Sequence, residues 1–194
     1  PRSRGLGDVY KRQATSNTEN GDFYGVNAAL LATNGANVTI TNATVTSSAQ
    51  NGNGVFSYGS GITVNISESM ITTTADNSGG IQTTGGTANN SEALVIEGKN
   101  SITLENCDVT GNMSDTKGSS SEENVHNVMI YQSMSGDADV GTSTFSVTGG
   151  TLTAKTGDMI YVTNTHCVLT LSGVTIKNED ADGALLRVVG NSAS

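Results

Sequence analysis

The sequence predicts an all-β chain, a right-handed parallel β-helix of about six turns of roughly 25 residues each. Three observations carry that expectation. Apolar residues recur with period two in short stretches rich in β-branched residues, and no segment sustains a 3.6-residue apolar period. Two kinds of stretch alternate along residues 25–194 and return at nearly constant spacing. Gly and Asn punctuate them in a chain of 194 residues with 24 Gly, one Pro, no Trp and 4% aromatic residues. A disordered chain can share that composition, but it would not keep Val, Ile and Leu in step.

The first pattern is a small residue followed by a compact apolar pair. It runs through Ala29-Leu30-Leu31, Gly54-Val55-Phe56, Ala93-Leu94-Val95, Asn127-Val128-Met129, Asp158-Met159-Ile160 and Ala184-Leu185-Leu186. Leu30, Val55 and Ile81 follow one another at 25 and 26 residues, as do Met159 and Leu185 at 26. The second pattern has apolar residues at positions one, three and eight and a mostly small residue at six. It reads VTITNATVT (38–46), VNISESMIT (64–72), ITLENCDVT (102–110), FSVTGGTLT (145–153) and LTLSGVTIK (169–177). Longer gaps are inserts rich in Ser, Gly and Asp, such as 115–124.

A unit this short cannot bury its apolar face alone, so neighbouring units must stack. Two or three strands per unit, stacked at roughly 4.8 Å, give a parallel β-helix. The left-handed form uses shorter hexapeptide turns, and L-residues prefer right-handed crossovers. The stacking predicts three inward columns: Val38/Val64/Ile102/Phe145/Leu169, Ile40/Ile66/Leu104/Val147/Leu171 and Val45/Ile71/Val109/Leu152/Ile176. Ala43, Ser69, Cys107, Gly150 and Val174 fall at a crowded corner. Thr39/Asn65/Thr103/Ser146/Thr170 and Thr46/Thr72/Thr110/Thr153/Lys177 face outward. Each buried aliphatic residue contributes about 1.5–3 kcal/mol against chain entropy.

One stretch breaks the period. Ile81 and Leu94 are only 13 residues apart, and 79–98 holds two first-pattern strands with no second-pattern strand between them. The expectation is a locally irregular half-turn, or repeat DNA collapsed during sequence assembly.

Residues 1–13 (PRSRGLGDVYKRQ) stand apart, with four of the nine basic residues and no periodicity. From Ser3 to Gln13 they resemble one translated frame of the adapter used in transposase-based short-read libraries. No apolar run of seven to fifteen residues follows to make a signal peptide. Those residues are set aside, leaving 14–194 as a single repeat domain, expected to be a fragment from community DNA with uncapped ends. The remainder has seventeen acidic and five basic residues, a net charge of −12.

The two patterns over 25–194 resemble right-handed parallel β-helix, pectin-lyase-like repeat proteins, and in particular the Thr/Asn/Gly-rich adhesin-like surface proteins of gut bacteria. The resemblance implies an extracellular or cell-surface location and a host glycan or polysaccharide as partner, with further turns of a longer chain beside this one. Net acidity argues against a nucleic-acid partner, and no apolar run is long enough for a helical membrane span.

Chemistry is sparse. Lyases of similar fold use a Lys or Arg base beside calcium-holding acids, and hydrolases need two carboxylates across the scissile bond. Arg187 is the one Arg outside 1–13, and it lies one strand and one loop from Lys177; Lys99, Lys117 and Lys155 belong to other turns. No catalytic residue is assigned. Calcium is the one cofactor the sequence suggests, with Asn178, Asp180 and Asp182 as alternating oxygen ligands before Gly183. Val189 stands where such a loop would carry its twelfth-position carboxylate, and a plain polar corner is the competing reading. Asp137-Ala138-Asp139 is a shorter version. Asp76, Glu92, Glu122, Glu123, Asp158, Asp180 and Asp182 recur ahead of first-pattern strands, an acidic edge that a cation would relieve.

His126 and His166 lack zinc-ligand spacing and read as surface histidines. Cys107 and Cys167 read as small core or near-core residues too far apart to bridge. Asn65 and Glu105 spoil a flat ice-binding Thr array, and the sequons at Asn37, Asn42, Asn65, Asn89 and Asn112 are what an Asn/Thr-rich chain produces by chance.

The expected function is therefore non-catalytic adhesion or glycan binding. A polysaccharide lyase or glycoside hydrolase fragment is the alternative, and a purely structural stalk the second alternative. Residues 14–194 alone should self-associate through open strand edges. Light scattering over a concentration series checks this, and a stable monomer at high concentration would contradict it.

Overall fold

The computed structural model describes residues 24–74, 78–84, 92–112, 125–132 and 139–190. Their elements are seventeen strands, and every pairing between them is parallel. The first unit holds β1 (Leu30–Ala32), β2 (Val38–Thr41) and β3 (Thr44–Ser47), and the second β4 (Val55–Tyr58), β5 (Thr63–Ser67) and β6 (Met70–Thr73). A single strand, β7 (Ile81–Thr84), comes next. Three more triplets follow: β8 (Leu94–Glu97), β9 (Ser101–Glu105), β10 (Asp108–Gly111); β11 (His126–Tyr131), β12 (Thr142–Thr148), β13 (Thr151–Ala154); and β14 (Asp158–Thr163), β15 (His166–Ser172), β16 (Thr175–Asn178). The last strand is β17 (Leu186–Val189). The inserts at 115–124 and residues 1–13 lie outside the described residues.

Like strands of successive units pair with like. One sheet runs β1-β4-β7-β8-β11-β14-β17 and a second runs β2-β5-β9-β12-β15. A third face is divided into β3-β6 and β10-β13-β16. The register is the one the columns require: Val38 stands beside Val64, Val64 beside Ile102, Ile102 beside Phe145 and Phe145 beside Leu169. The Ile40 column is likewise continuous to Leu171. The third column is broken, because Ile71 stacks on Val45 and Val109 on Leu152, but no ladder joins Ile71 to Val109. One apolar cluster takes residues from all three faces, among them Val55, Ile96, Ile130, Phe145 and Leu152, each fully buried.

The corner between the second sheet and the third face repeats one conformation. Asn42, Glu68, Asn106, Gly149 and Gly173 all have positive φ, at 51, 47, 52, 66 and 61°. Asn and Gly tolerate that region with least strain, which is why they dominate here. Glu68 has no such advantage, yet its N–H still joins the ladder by donating to the Glu105 carbonyl at 3.0 Å. The ladder passes through this corner elsewhere too, from Asn42 N to Ser67 O at 3.0 Å and from Asn106 N to Thr148 O at 2.8 Å. The next residue in each unit is the crowded one. A Cβ on Gly150 would lie 2.1 Å from the Cys107 carbonyl oxygen.

The short stretch at 79–98 resolves as two neighbouring strands of one sheet. β7 and β8 pair directly, Ile81 with Leu94 and Thr83 with Ile96. Among the described residues the second sheet shows no counterpart, and β5 pairs straight onto β9 across Val64 and Ile102. The first sheet therefore has one strand more than this part of the second, and the third face divides at the same level.

At the last unit the columns run out into the open. Leu171 is 36% exposed, Leu186 48% and Val188 45%, although the residues beside them in register, Val147, Ile160 and Val162, are buried.

The two kinds of corner glycine should respond differently to alanine. At Gly173 a Cβ would meet nothing within 4 Å, so G173A carries only the positive-φ cost of about 1–2 kcal/mol. G150A adds a backbone clash to the same cost and should lower the urea midpoint further. Equal midpoints would contradict the crowding argument.

Candidate binding faces and polar clusters

The second sheet presents one side to solvent. Its inward residues are the apolar columns, so the alternate positions Thr39, Asn65, Thr103, Ser146 and Thr170 form a row on the other side. Beside it runs a second row, Thr41, Ser67, Glu105, Thr148 and Ser172. Like positions repeat at about 4.8 Å along each row. All ten are exposed or half-exposed, and Ser67 Oγ donates to Thr41 Oγ1 at 3.1 Å. This is a regular array of hydroxyl and amide groups crossed by one charge at Glu105.

The first sheet is different on its outer side. The column opposite its core runs Phe56, Gln82, Val95, Met129, Tyr161 and Arg187. Phe56, Gln82, Val95 and Tyr161 are buried, and Gly25 at φ 61° lies so close over Phe56 that a Cβ would be 2.2 Å from its ring. A cluster of ionisable groups lies at this face. His126 Nε2 is 2.9 Å from Glu92 Oε1, with both side chains almost wholly buried. The His126 ring stacks on Tyr161 at 4.8 Å between centroids. Among the described residues, Glu92 Oε2 and both ring nitrogens of His126 make no hydrogen bond, so the contact to Glu92 Oε1 is one of ion-pair distance alone. Asp158, beside His126 in register, accepts from Arg187 Nε at 2.5 Å and Nη2 at 3.2 Å, and from the Ala184 N–H at 2.7 Å.

This cluster corrects the surface reading of His126, which begins β11 and is 1% exposed. Arg187 turns to Asp158, while Lys177 stands exposed on β16 of the third face. His166, by contrast, begins β15 and is exposed. The pairing of Glu92 with His126 joins residues 34 apart across an insert, so no local pattern announces it.

Asn178, Asp180 and Asp182 form a tightly bonded corner. Asn178 Oδ1 accepts the Asp180 N–H at 3.0 Å, and Asn178 Nδ2 donates to the Gly157 and Ala184 carbonyls at 3.2 and 3.3 Å. Asp180 Oδ2 accepts from Gly157 N at 2.7 Å and Oδ1 from Asp182 N at 3.0 Å. The polar atoms are thus turned to the backbone, stapling β16 to the entry of β14. The Gly157 N–H, with those of Asp182 and Gly183 behind it, holds the Asp180 carboxyl below its ordinary value. Asp139 is also held low, by the Lys99 ammonium 2.7 Å away. Asp137 and Ala138, like Asp76, Glu122 and Glu123, lie outside the described residues. Among the described residues, no three His, Cys, Asp or Glu side chains converge as metal ligands.

Cys107 and Cys167 are both unbridged. Cys107 is in the core with its Sγ 3.3 Å from the Glu105 carbonyl, and burial pushes the Cys167 thiol up. That shift favours the unreactive thiol.

No protein-family model, no curated protein and no solved structure matches this chain.

Asp180 ties the corner only while ionised. Its carboxyl titrates lower in the folded chain than in the unfolded one, so its contribution is complete above the ordinary carboxylate range and disappears as pH falls through the depressed folded value. D180N should therefore flatten part of the acid limb of a stability–pH profile while leaving the neutral limb parallel to that of the parent. Identical acid limbs would show that the corner bonds do not depend on the charge.

Proposed function

We propose that the chain is a stretch of right-handed parallel β-helix from an extracellular or cell-surface protein, and that it acts without catalysis as an adhesive, carbohydrate-binding surface. The helical reading rests on parallel pairing of like strands at about one unit's separation, with the handedness that L-residue crossovers prefer. The location rests on the resemblance to adhesin-like proteins.

The observation that carries the binding reading is the open face of the second sheet. Rows of hydroxyl and amide groups, at a repeat set by the backbone, match a polymer that itself presents repeated hydroxyls. Such contacts are individually weak and gain strength by multiplicity. The cluster on the first sheet supports a non-catalytic role. An acid–base pair must reach its substrate, whereas the Glu92 and Asp158 carboxylates are 1% and 5% exposed and held by His126 and Arg187.

Native gels containing pectin, xylan or mucin test the proposal, with calcium and again with a chelator. Retardation is expected in at least one polymer, and T103E/S146E should weaken it by placing carboxylates in the middle of the hydroxyl row. Loss of retardation with the chelator would assign a calcium requirement and return attention to Asn178, Asp180 and Asp182. Unchanged mobility in every gel would sink the binding reading in favour of a structural stalk. Release of soluble sugar would support the lyase or hydrolase alternative.

A further inference from the structure

The division of the third face encloses a cavity. Between β6 and β10 lies a space of about 340 Å³, reaching inward to Ile66, Ile81 and Leu104 and bounded on its flanks by Ile71 and Val109. That volume is at the lower end of the range for ligand sites. The walls are what distinguish it. Met70 and Thr74 donate to the β3 side of β6, and Cys107 and Gly111 accept from the β13 side of β10. In a parallel ladder alternate residues turn their peptide groups to opposite sides. Ile71 and Thr73 of β6, and Asp108 and Thr110 of β10, therefore turn their N–H and C=O groups toward the gap. Among the described residues, no strand pairs with β6 on the side away from β3, or with β10 on the side away from β13.

We propose that this gap is a strand-acceptor site, filled by an extended segment of a second polypeptide laid parallel to β6. Two facing strand edges ask for main-chain donors and acceptors on both sides of the occupant, which a peptide supplies and an apolar small molecule does not. The broken column specifies the side chains. Val45 and Ile71 stand on one side of the gap, Val109, Leu152 and Ile176 on the other, so the occupant's inward residue is a branched aliphatic. Its neighbours face outward beside Thr72 and Thr110, where small hydroxyl residues fit. The gap narrows toward the corner where Glu68 N meets Glu105 O at 3.0 Å, so the accepted segment is short, with its first residue nearest that corner.

The test uses the full chain and a fluorescein-labelled peptide copying residues 150–155, Gly-Thr-Leu-Thr-Ala-Lys. Fluorescence anisotropy should show saturable binding, and the same peptide carrying L152D should not bind. T110P removes an N–H aimed at the gap without breaking a ladder bond of β10, and it should weaken binding by about ten-fold, the upper end of one lost hydrogen bond. T73P tests the opposite wall, should T110P lose its strand signal in circular dichroism. Absence of binding to the parent chain would overturn the proposal. So would binding that tolerates L152D, or binding unchanged by whichever proline variants fold, which would place the peptide at the open edge of β16 instead.

Discussion

The parallel backbone ladder is the constraint on which everything else in this molecule depends. Each residue sits about one strand spacing from its counterpart in the next unit, so a residue type is acceptable only if it tolerates a near-copy of itself close by. Branched aliphatics tolerate it well, and across five strands they fill the Ile40 column and, Phe145 apart, the Val38 column. Hydroxyls tolerate it on the outside, as Ser67 and Thr41 do by bonding to each other. Carboxylates do not, and where they are drawn into the structure they meet a partner: Arg187 for Asp158, backbone amides for Asp180 and the His126 ring beside Glu92. The ladder also dictates the corner, where five successive units hold one residue at positive φ so that the hydrogen bonds can turn without stopping.

Seen from that constraint, the two large faces have separate roles. The middle strands of the first sheet are buried on both sides, with Val55 and Ile130 against the core and Phe56 and Val95 on the reverse. The second is buried on one side only, and its free side is regular and nearly uncharged. The second sheet is thus the face whose regular polar rows stay open to solvent, while the first is thickened by apolar packing on its reverse.

Much of this was legible beforehand, for a local reason. A period-two pattern repeated at 25–26 residues specifies both which residues point inward and which lie side by side, so the columns could be written from the strings VTITNATVT and VNISESMIT. Position five of those strings carries Asn, Glu, Asn, Gly and Gly. This composition signals positive φ. The Glu92–His126 pair was not legible. It depends on how an intervening insert returns the chain to the ladder, and the surroundings of His126 look polar and loop-like. The corner at Asn178, Asp180 and Asp182 was legible as alternating oxygens, but not in the bonds those oxygens make. Alternating oxygens resemble a cation loop on paper, yet the same spacing lets each side chain reach the next backbone amide.

The doubled strand at β7 and β8 has a consequence beyond its own level. It lengthens one face by a strand while the second sheet gains none, so units on either side cannot be related by the translation that relates ordinary neighbours. A unit with faces of unequal length is a wedge, and a wedge inclines whatever is stacked on it toward its shorter side. In a long array, the number and placement of such half-units would set the curvature of the fibre without changing a single core column. A chain could thereby steer its path by the length of its repeats alone.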